Sequence, residues 1–568
     1  MPTSSASFAV RVTAAIKKLT KRQKLWFAFL VVFFIFTIVG LIGETNVLAL
    51  VELPAAGGEL REGIIGTSGF INPLLAVTNP DRDLTALIYS GLVRYSKSGT
   101  LVPDLAERYE ISTDGKEYRF FLKPNLVWHD GEPVTAEDVI FTFKSAKDPS
   151  LKSPRRAAWE GVEIARKNDQ EIIFTLKQPY APFLENLTLG LLPAHLWREI
   201  PAENFSLHKL NLTPIGTGPY KIKKIVRDNN NIPTAYELTA FKYFALGEPR
   251  LATLIINLYS NENELLNAYE TGAIESLSAV SPATVKNSIN TRTTLATAPL
   301  PRIFAVFFNQ NQTKIFAQTE VREALNGVVN RQEIIDQVLG GYGRPAYGPL
   351  PLGPFTTGKT ETETATTSAA LLTKHGWVKN SETKIWEQKT KTGTTTLAFT
   401  LSTSDIAELK ATAEILKNTW EKFGAKVEVK IFETGALNQN VIRPREYEAL
   451  LFGEIVSHES DLYSFWHSRE RLDPGLNIAL YTNAKVDKML EDLRGMQDSA
   501  KRQEISKQAA EEIVKDRSAV FLYSPDFLYL LPQTIKGAAF KLINTPDDRF
   551  SNIYQWFINT EKIWSIFQ

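Results

Sequence analysis

LAFTLSTSDIAELKATAEILKNTWEKFGAKVEVKIFETGALNQNVIRPREYEALLFGE, residues 397–454, decides the fold. LAFTLST reads as a strand. Asp405 and Glu408 are placed to cap a helix whose apolar positions are Ile406, Leu409, Ile415, Leu416 and Trp420, and Gly424 stops it. KVEVKIF (426–432) alternates with period two, a second helical segment follows, and EALLFGE (448–454) is a buried strand. The resulting β-α-β-α-β order requires a parallel sheet with right-handed crossovers. Ligands of such sheets sit beyond the carboxyl ends of the strands, so residues 453–467 are a candidate pocket lining.

Working outward, mixed α/β patterning continues in both directions. RFFL (119–122) and EIIFTL (171–176) have strand composition, and Asp130-Gly131 is a turn signal. Thr135 with Asp138 opens a helix carrying Val139, Ile140 and Phe143. Asn330 with Glu333 restarts a helix that Gly340-Gly341 ends, and 484–516 reads as helix-turn-helix with Val486, Leu490, Leu493, Ile505, Ile513 and Val514 inward. Between 356 and 396 the chain is polar and Thr-rich, which predicts surface loops or a hairpin.

The 568 residues are 43% hydrophobic and 22% charged, enough for about three or four domain-sized units. A formal charge of +1 excludes a general nucleic-acid binder. The total conceals a split: six basic residues and no acid precede residue 44, leaving 58 basic against 63 acidic residues, net −5, in the remainder. Cysteine is absent, which removes disulfides, thiol catalysis, Zn–Cys and Fe–S sites, and a lipoprotein anchor.

LWFAFLVVFFIFTIVGLIG (25–43) holds no charge and, at about 1.5 Å per residue, reaches roughly 30 Å as a helix. The basic cluster before it and Glu44 after it orient the N-terminus to the cytoplasm and residues 44–568 outward. A cleaved signal peptide competes with an uncleaved anchor. The length, the Phe content and the lack of a small-x-small site in TNVLALVELPAAGG favour the anchor.

Catalytic patterns are missing. The six histidines form no H-E-x-x-H pair, GTGPY (216–220) lacks the P-loop lysine, GGYGRP (340–345) lacks a third glycine, and no G-x-S-x-G elbow occurs. Acid pairs such as Glu62 with Asp83, or Glu454 with Asp461, arise by chance among 63 acids. An exported chain of this size without catalytic machinery, cofactor motif or metal set points to binding, not catalysis.

An ordered series of motifs adds a family resemblance. It includes Ile71-Asn72-Pro73-Leu74, LIYSGLVRY (87–95), Pro103-Asp104-Leu105-Ala106-Glu107, the dense WHDGEPVTAEDV (128–139) and GTGPY (216–220). Further on come Val321-Arg322-Glu323-Ala324-Leu325, Pro345-Ala346-Tyr347-Gly348-Pro349, His375-Gly376-Trp377, SFWHS (464–468) and Tyr481-Thr482-Asn483. The chain resembles the oligopeptide/dipeptide-binding family of ABC importer solute-binding proteins from about Glu59 to its end. That resemblance implies an α/β, two-lobed periplasmic-binding-protein (Venus-flytrap) fold with an extra subdomain on lobe I, here preceded by one transmembrane helix. The expected organisation is a basic cytoplasmic segment 1–24, an anchor 25–43, a linker 44–58, lobe I at 59–300, lobe II at 301–523 and a return to lobe I at 524–568. Crossings are expected near Leu300–Arg302 and Tyr523–Pro525.

The implied mechanism is hinge closure on a solute touching both lobes, followed by docking on an ABC permease. The partners are thus a small solute, the permease subunits and, through 25–43, the membrane, with a monomeric body, no nucleic acid and no cofactor. Peptide binders of the family hold the ligand's α-amine with an aspartate, and the resemblance aligns that position with His458, a poor ammonium partner near neutral pH. Glu454, Glu459 or Asp461 is a substitute if the loop shifts by a few residues, and Asn309, Trp466 and Asn477 complete the candidate ligand-binding set. A peptide-like solute is the leading expectation. The alternatives are an oligosaccharide or other solute, with Trp466 stacking and Asn477 bonding hydroxyls, or a membrane-anchored sensor or chaperone uncoupled from transport. Because 25–43 is long and lacks a cleavage site, N-terminal sequencing of the membrane-extracted protein is expected to read from residue 1, and a start near residue 50 would contradict the anchor.

Overall fold

A twelve-stranded sheet organises the molecule. Its strands, in chain order, are Glu59–Ile65 (β1), Tyr220–Arg227 (β2), Pro233–Ala240 (β3), Thr253–Tyr259 (β4), Ser276–Ser278 (β5), Thr293–Pro299 (β6), Arg302–Phe308 (β7), Gly343–Pro345 (β8), Ala398–Ser404 (β9), Lys426–Phe432 (β10), Ala449–Ile455 (β11) and Ala519–Pro532 (β12). The order across the sheet is β10-β9-β11-β7-β12-β5-β1-β4-β3-β2, with β6 and β8 also on β12. The computed structural model describes residues 18–564 together with Thr13 and Ala15, apart from 98, 279, 290, 291, 352–364, 392, 457–460 and 542.

The 397–454 segment folds as its pattern demands. β9 pairs in parallel with β10, from Ala398 opposite Lys426 to Ser404 opposite Phe432, and in parallel with β11. The helix Ala407–Phe423 crosses between β9 and β10, burying Leu409, Ala413, Leu416, Trp420 and Phe423 in one apolar cluster. Trp420 is fully buried and its indole N–H donates to Leu325 O at 3.0 Å, so truncating it to Ala costs about 3–5 kcal/mol. Gly424 ends this helix at φ +115°, a conformation that suits glycine. Asp405 does not cap the helix. The N-cap is Ile406, without a side-chain cap bond, and the Asp405 N–H donates to Phe432 O at the end of the neighbouring strand. The second connection is a single turn, Thr434–Leu437, continuing into the π-turn Asn438–Ile442.

One strand belongs to both halves of the sheet. Ala519–Tyr523 of β12 pairs with β7, and Asp526–Pro532 pairs with β6. β7 and β11 pair antiparallel from Arg302 opposite Ile455 to Phe308 opposite Ala449, so the carboxyl end of β11 lies beside the β6–β7 crossing. At the crossing the Leu300 N–H donates to Pro525 O (3.2 Å), Ser524 Oγ to Leu300 O (2.9 Å) and the Val456 N–H to Pro301 O (2.8 Å).

A separate four-stranded antiparallel sheet, Ala106–Ile111, Glu117–Leu122, Glu171–Leu176 and Val162–Asn168 in spatial order, carries the RFFL and EIIFTL segments. The helix Ala136–Lys147 packs on it and opens with the Thr135/Asp138 capping box. Its aromatic core includes Phe143, Trp159, Phe174 and Phe183, with Phe143 and Trp159 centroids 4.2 Å apart. Trp128 is fully buried. The helices Ala484–Gly495 and Ser499–Lys515 match the expected helix-turn-helix. The 356–396 region contains the helix Ala365–Lys374 and the strands Trp377–Lys379, Trp386–Thr390 and Gly393–Thr396. Residues 356–364 of its first Thr-rich run lie outside the described residues.

Residues Gly58–Trp556 form one unit, and Met1–Gly57 with Phe557–Gln568 form another. In the latter, a helix runs Lys21–Ala49 and leads into Leu50–Pro54, which pairs antiparallel with Thr560–Trp564. Residues 44–58 therefore differ from the extended linker expected, since their strand partner lies at the far end of the sequence and no local signal announces it. For the same reason, the final residues of 524–568 leave the lobe to which they had been assigned. Leu25, Trp26, Phe29, Phe33, Phe34 and Phe36 are exposed on the helix. Among the described residues no helix is long and apolar enough to cross a membrane.

A buried charge network joins the beginning and the C-terminal part of the larger unit. Arg549, fully buried, donates through Nη2 to Glu62 Oε1 (2.6 Å) on β1 and to Asp83 Oδ2 (2.7 Å) on the helix Asn79–Ile88. Its Nη1 also bonds Asp83 Oδ1 (2.7 Å) and Pro546 O (2.8 Å), while the Tyr529 hydroxyl donates to Glu62 Oε2. Burial pushes the Asp83 carboxyl up to about 6, against the lowering pull of Arg549. Deleting one partner of such a network strands the other charges in a dry interior. Arg549→Met is expected to lower stability by about 3–5 kcal/mol, measured by tryptophan-fluorescence urea unfolding. A loss below about 1 kcal/mol would show that the network does not hold these elements together.

Candidate binding site

The carboxyl ends of β1, β9 and β11 open onto the place where β6–β7 and β12 cross between the two halves of the sheet. Two cavities lie there. One, of about 440 Å³, is lined by Arg82, Tyr89, Arg94, Arg155, Glu185 and Ile455 among others. The other, of about 470 Å³, is lined by Asn79, Arg302, Phe304, Tyr342, Tyr523 and Phe527 among others. They adjoin along the first turn of the helix Asn79–Ile88, with Asn79 in one wall and Arg82 in the other.

Local structure holds that helix firmly. Thr78 caps it by accepting from the Asp81 N–H, and Asp81 Oδ1 in turn accepts from the Gly69 (2.8 Å) and Phe70 (2.9 Å) N–H groups. Asp83 faces Arg549, and successive helical positions are separated by about 100° of rotation, which frees Arg82 to face the cavity. On the opposite wall, Phe304 stacks on Tyr523 with centroids 5.1 Å apart, giving an apolar, aromatic surface.

The sequence-derived candidates separate into distinct environments. Glu454 is buried on β11 opposite Ile303, with neither carboxylate oxygen hydrogen-bonded. Burial pushes its carboxyl well above the ordinary range. The Trp466 indole N–H is the one neighbour favouring the charged form, yet it falls outside hydrogen-bond geometry. Trp466 itself is fully buried among Phe307, Tyr481 and Phe521 and offers no open stacking face. Asp461 Oδ2 pairs with Arg494 Nη2 at 3.0 Å, while its Oδ1 accepts from the Tyr463 N–H. That guanidinium lies 3.7 Å from the Tyr463 ring centroid, and the Arg494 carbonyl accepts from the Ala181 N–H, joining the segment to the residues after the four-stranded sheet.

Asn477 donates to His467 O and Tyr481 O and accepts from the Tyr481 N–H, so its amide shapes a loop. Asn309 donates to Arg445 O and accepts from the Asn311 and Gln312 N–H groups at the end of β7 away from the crossing. His458 lies outside the described residues. The structure thus brings Glu454 and Trp466 together, places Asp461 in an ion pair, and commits both asparagines to backbone groups.

Sequence reasoning did not single out the arginines. Arg82 Nε and Arg302 Nε are buried without a hydrogen-bond partner. Burial, then the charge of Arg82, lowers the Arg302 pKa. Arg155 is exposed, yet the same two causes lower its pKa too, which suits a side chain on the wall of an open cleft. Arg302 adjoins the crossing read from the sequence. No spacing links it to Arg82 or Arg155. Among the described residues no group of three His, Asp or Glu side chains is arranged to hold a metal ion.

Residues 100–471 match the family model of bacterial extracellular solute-binding proteins, family 5, middle region. The chain belongs to that family. This solute-binding protein is 26% identical over 517 residues to the oligopeptide-binding protein AppA of Bacillus subtilis, covering 89% of this chain and 92% of AppA. The structure of AppA in complex with a nonapeptide matches it with a TM-score of 0.68 at 24% identity, over 89% of this chain and 100% of that one. NikZ of Campylobacter jejuni in complex with Ni(L-His) matches with a TM-score of 0.68 at 24% identity, over 88% and 99% of the two chains. Both structural likenesses concern the fold. The α/β periplasmic-binding-protein architecture and the extracytoplasmic, solute-capturing role are those of the family.

For the solute-binding protein's buried acid, the sign of the pH dependence follows from Glu454. Its folded-state pKa is raised, so the folded state binds more protons than the unfolded state as pH climbs past the ordinary carboxyl value, and stability falls with rising pH. Glu454→Gln is expected to raise the melting temperature at pH 7–8, by on the order of 1 kcal/mol in stability, with the gain vanishing toward pH 4. A pH-independent loss would overturn this assignment.

Proposed function

We propose that the chain is a membrane-anchored binding protein that captures a peptide-like solute in the cleft between the two halves of its sheet and hands it, chemically unchanged, to an ABC importer. The observation that carries this reading is the pair of cavities at the crossing, lined by residues of both halves and bordered by the β6–β7 link and β12. Closure there requires rotation about the β6–β7 link and β12, and a solute touching both walls favours the closed state by its differential affinity. The lobes we assign are 59–300 with a return after 524, and 301–523. An extended peptide suits such a cleft because main-chain hydrogen bonds hold it whatever its side chains.

The anchor is residues 25–43. Supporting it are the charge-free apolar run, the basic residues before it and the helix that contains it, whose described apolar side chains project outward with nothing to bury them. The ligand-facing acids we assign are Glu454, as a neutral hydrogen-bonding group once the cleft closes, and Asp461, through exchange of its Arg494 partner. Neither step is chemical, so the protein acts by binding alone.

Mass spectrometry of small molecules released from the full-length, detergent-extracted protein tests this reading. Short peptides should be enriched over a control membrane protein. Recovery of sugars alone, or conversion of any released compound on incubation with the protein, would overturn it.

A further inference from the structure

The cleft carries an uncompensated positive charge. Arg82 stands on the helix Asn79–Ile88, Arg155 on the loop after the helix Ala136–Lys147, and Arg302 at the first residue of β7. They come from both sides of the crossing, and Arg82 acts electrostatically on each of the other two. Neither Arg82 nor Arg302 is in an ion pair among the described residues, and the Nε of each is buried without a hydrogen bond. Guanidinium groups gathered in a partly dry space repel one another, and the bare Nε–H donors have lost water without replacement.

The acids lining the same cavities form no ion pair with Arg82 or Arg302 among the described residues, although Asp104 Oδ1 and Asp526 Oδ1 are themselves buried without a hydrogen bond. Asp548 accepts from the Asn544 and Thr545 N–H groups, Glu262 from Thr284 Oγ1 and the Ser281 N–H, and Asp526 lies 4.0 Å from Arg344. Asp104 acts on Lys123 and receives the opposing influence of Arg94. Asp547 acts on Arg155, leaving Arg82 and Arg302 as the pair without a counter-charge in contact. Other buried guanidiniums of this fold are hydrogen-bonded, Arg549 by two carboxylates and Arg322 and Arg445 by backbone carbonyls, which the Nε groups of Arg82 and Arg302 are not.

We infer that Arg82 and Arg302, with Arg155 at the rim, form a carboxylate-binding subsite, and that the solute seats an anionic end there, for a peptide its C-terminal carboxylate. The inference deepens the proposed function and rests on it for the word peptide. Arginine suits the task because its planar fork donates two parallel bonds to a carboxylate. Arg82 lines one cavity from the Asn79–Ile88 helix and Arg302 lines the adjoining one from β7, so a carboxylate that bonds both on closure also draws the halves together. Anion binding and closure thereby become one event. His458, where the family resemblance leads one to expect an amine-fixing acid, is consistent with a site that orients its solute from the carboxyl end.

The test uses the full-length protein in detergent and isothermal titration with three probes: a mixed tetrapeptide pool with free C-termini, the same pool C-terminally amidated, and succinate. The free-acid pool is expected to bind at least tenfold more tightly than the amidated pool. In the Arg82→Gln/Arg302→Gln double variant that difference should collapse to below threefold. The solute-free melting temperature of the variant should be unchanged or higher, since two repelling cations are removed; a fall would mark the pair as structural and overturn the inference. Arg302→Lys, which keeps the charge but not the fork, should retain part of the preference. If both pools bind wild type equally, the subsite is refuted and the peptide reading stands. If neither pool binds but succinate binds wild type and not the double variant, the subsite stands and the peptide reading falls. Absence of binding by all three probes refutes both.

Discussion

β12 is the constraint on which the rest of the structure depends. Its 14 residues run without interruption from the half of the sheet built on β7 to the half built on β6, and each half takes its edge-to-edge pairing from a different stretch of the same strand. Pairing satisfies the backbone on either side, while the Ser524–Pro525 step is held by Leu300 and by β8. Two bodies joined in this way keep a common axis and can still rotate about it, because the twist is taken up by few backbone dihedrals. The Leu300–Pro301 link beside it bonds to Pro525 and Val456, so both connections and the end of β11 meet at one place. The cavities lie there as a consequence of strand direction: β1, β9 and β11 all end toward it.

Charge is treated in three different ways in this interior. At Arg549 the fold supplies Glu62, Asp83 and Tyr529, and the cation serves to pin β1, the Asn79–Ile88 helix and the C-terminal segment to one another. At Glu454 it supplies an apolar pocket and only a misaligned indole, which favours the uncharged acid. At Arg82 and Arg302 the Nε groups have no hydrogen-bond partner among the described residues. The first arrangement is expensive to break and unsuited to exchange with a solute. The third is unsatisfied until something enters. A binding protein needs the two kinds together, a rigid frame and a site whose polar groups remain available.

Rigidity and opening are also divided between elements. The Asn79–Ile88 helix is fixed at its start by Thr78 and Asp81 and along its length by Asp83, so Arg82 is presented without freedom to retreat. Across the cleft, contacts between the two sides are sparser: the Ala181 N–H on the Arg494 carbonyl, and the Arg494 side chain over Tyr180. These are contacts that hinge motion can break at low cost, since each is a single hydrogen bond or ring contact worth about 1 kcal/mol.

Much of the architecture was legible along the chain. The 397–454 periodicity dictated parallel pairing because apolar alternation, a helix-length interval and a glycine stop admit few other solutions, and the Thr135 capping box and the helix pair at 484–515 followed from equally local chemistry. The passage of β12 from its pairing with β7 to its pairing with β6 has no comparable local trace, and the crossings expected near Leu300–Arg302 and Tyr523–Pro525 rested on the family resemblance alone. What only the tertiary structure decided were relations between distant residues: Leu50–Pro54 beside Thr560–Trp564, Arg549 between Glu62 and Asp83, Asp461 on Arg494, and Arg82 facing the charge of Arg302. The reason is physical. Backbone geometry and side-chain entropy act over a few residues and leave a periodic trace, whereas desolvation and Coulomb interactions depend on what folding brings near, and identical side chains become anchor, bystander or binding group according to neighbours hundreds of positions away.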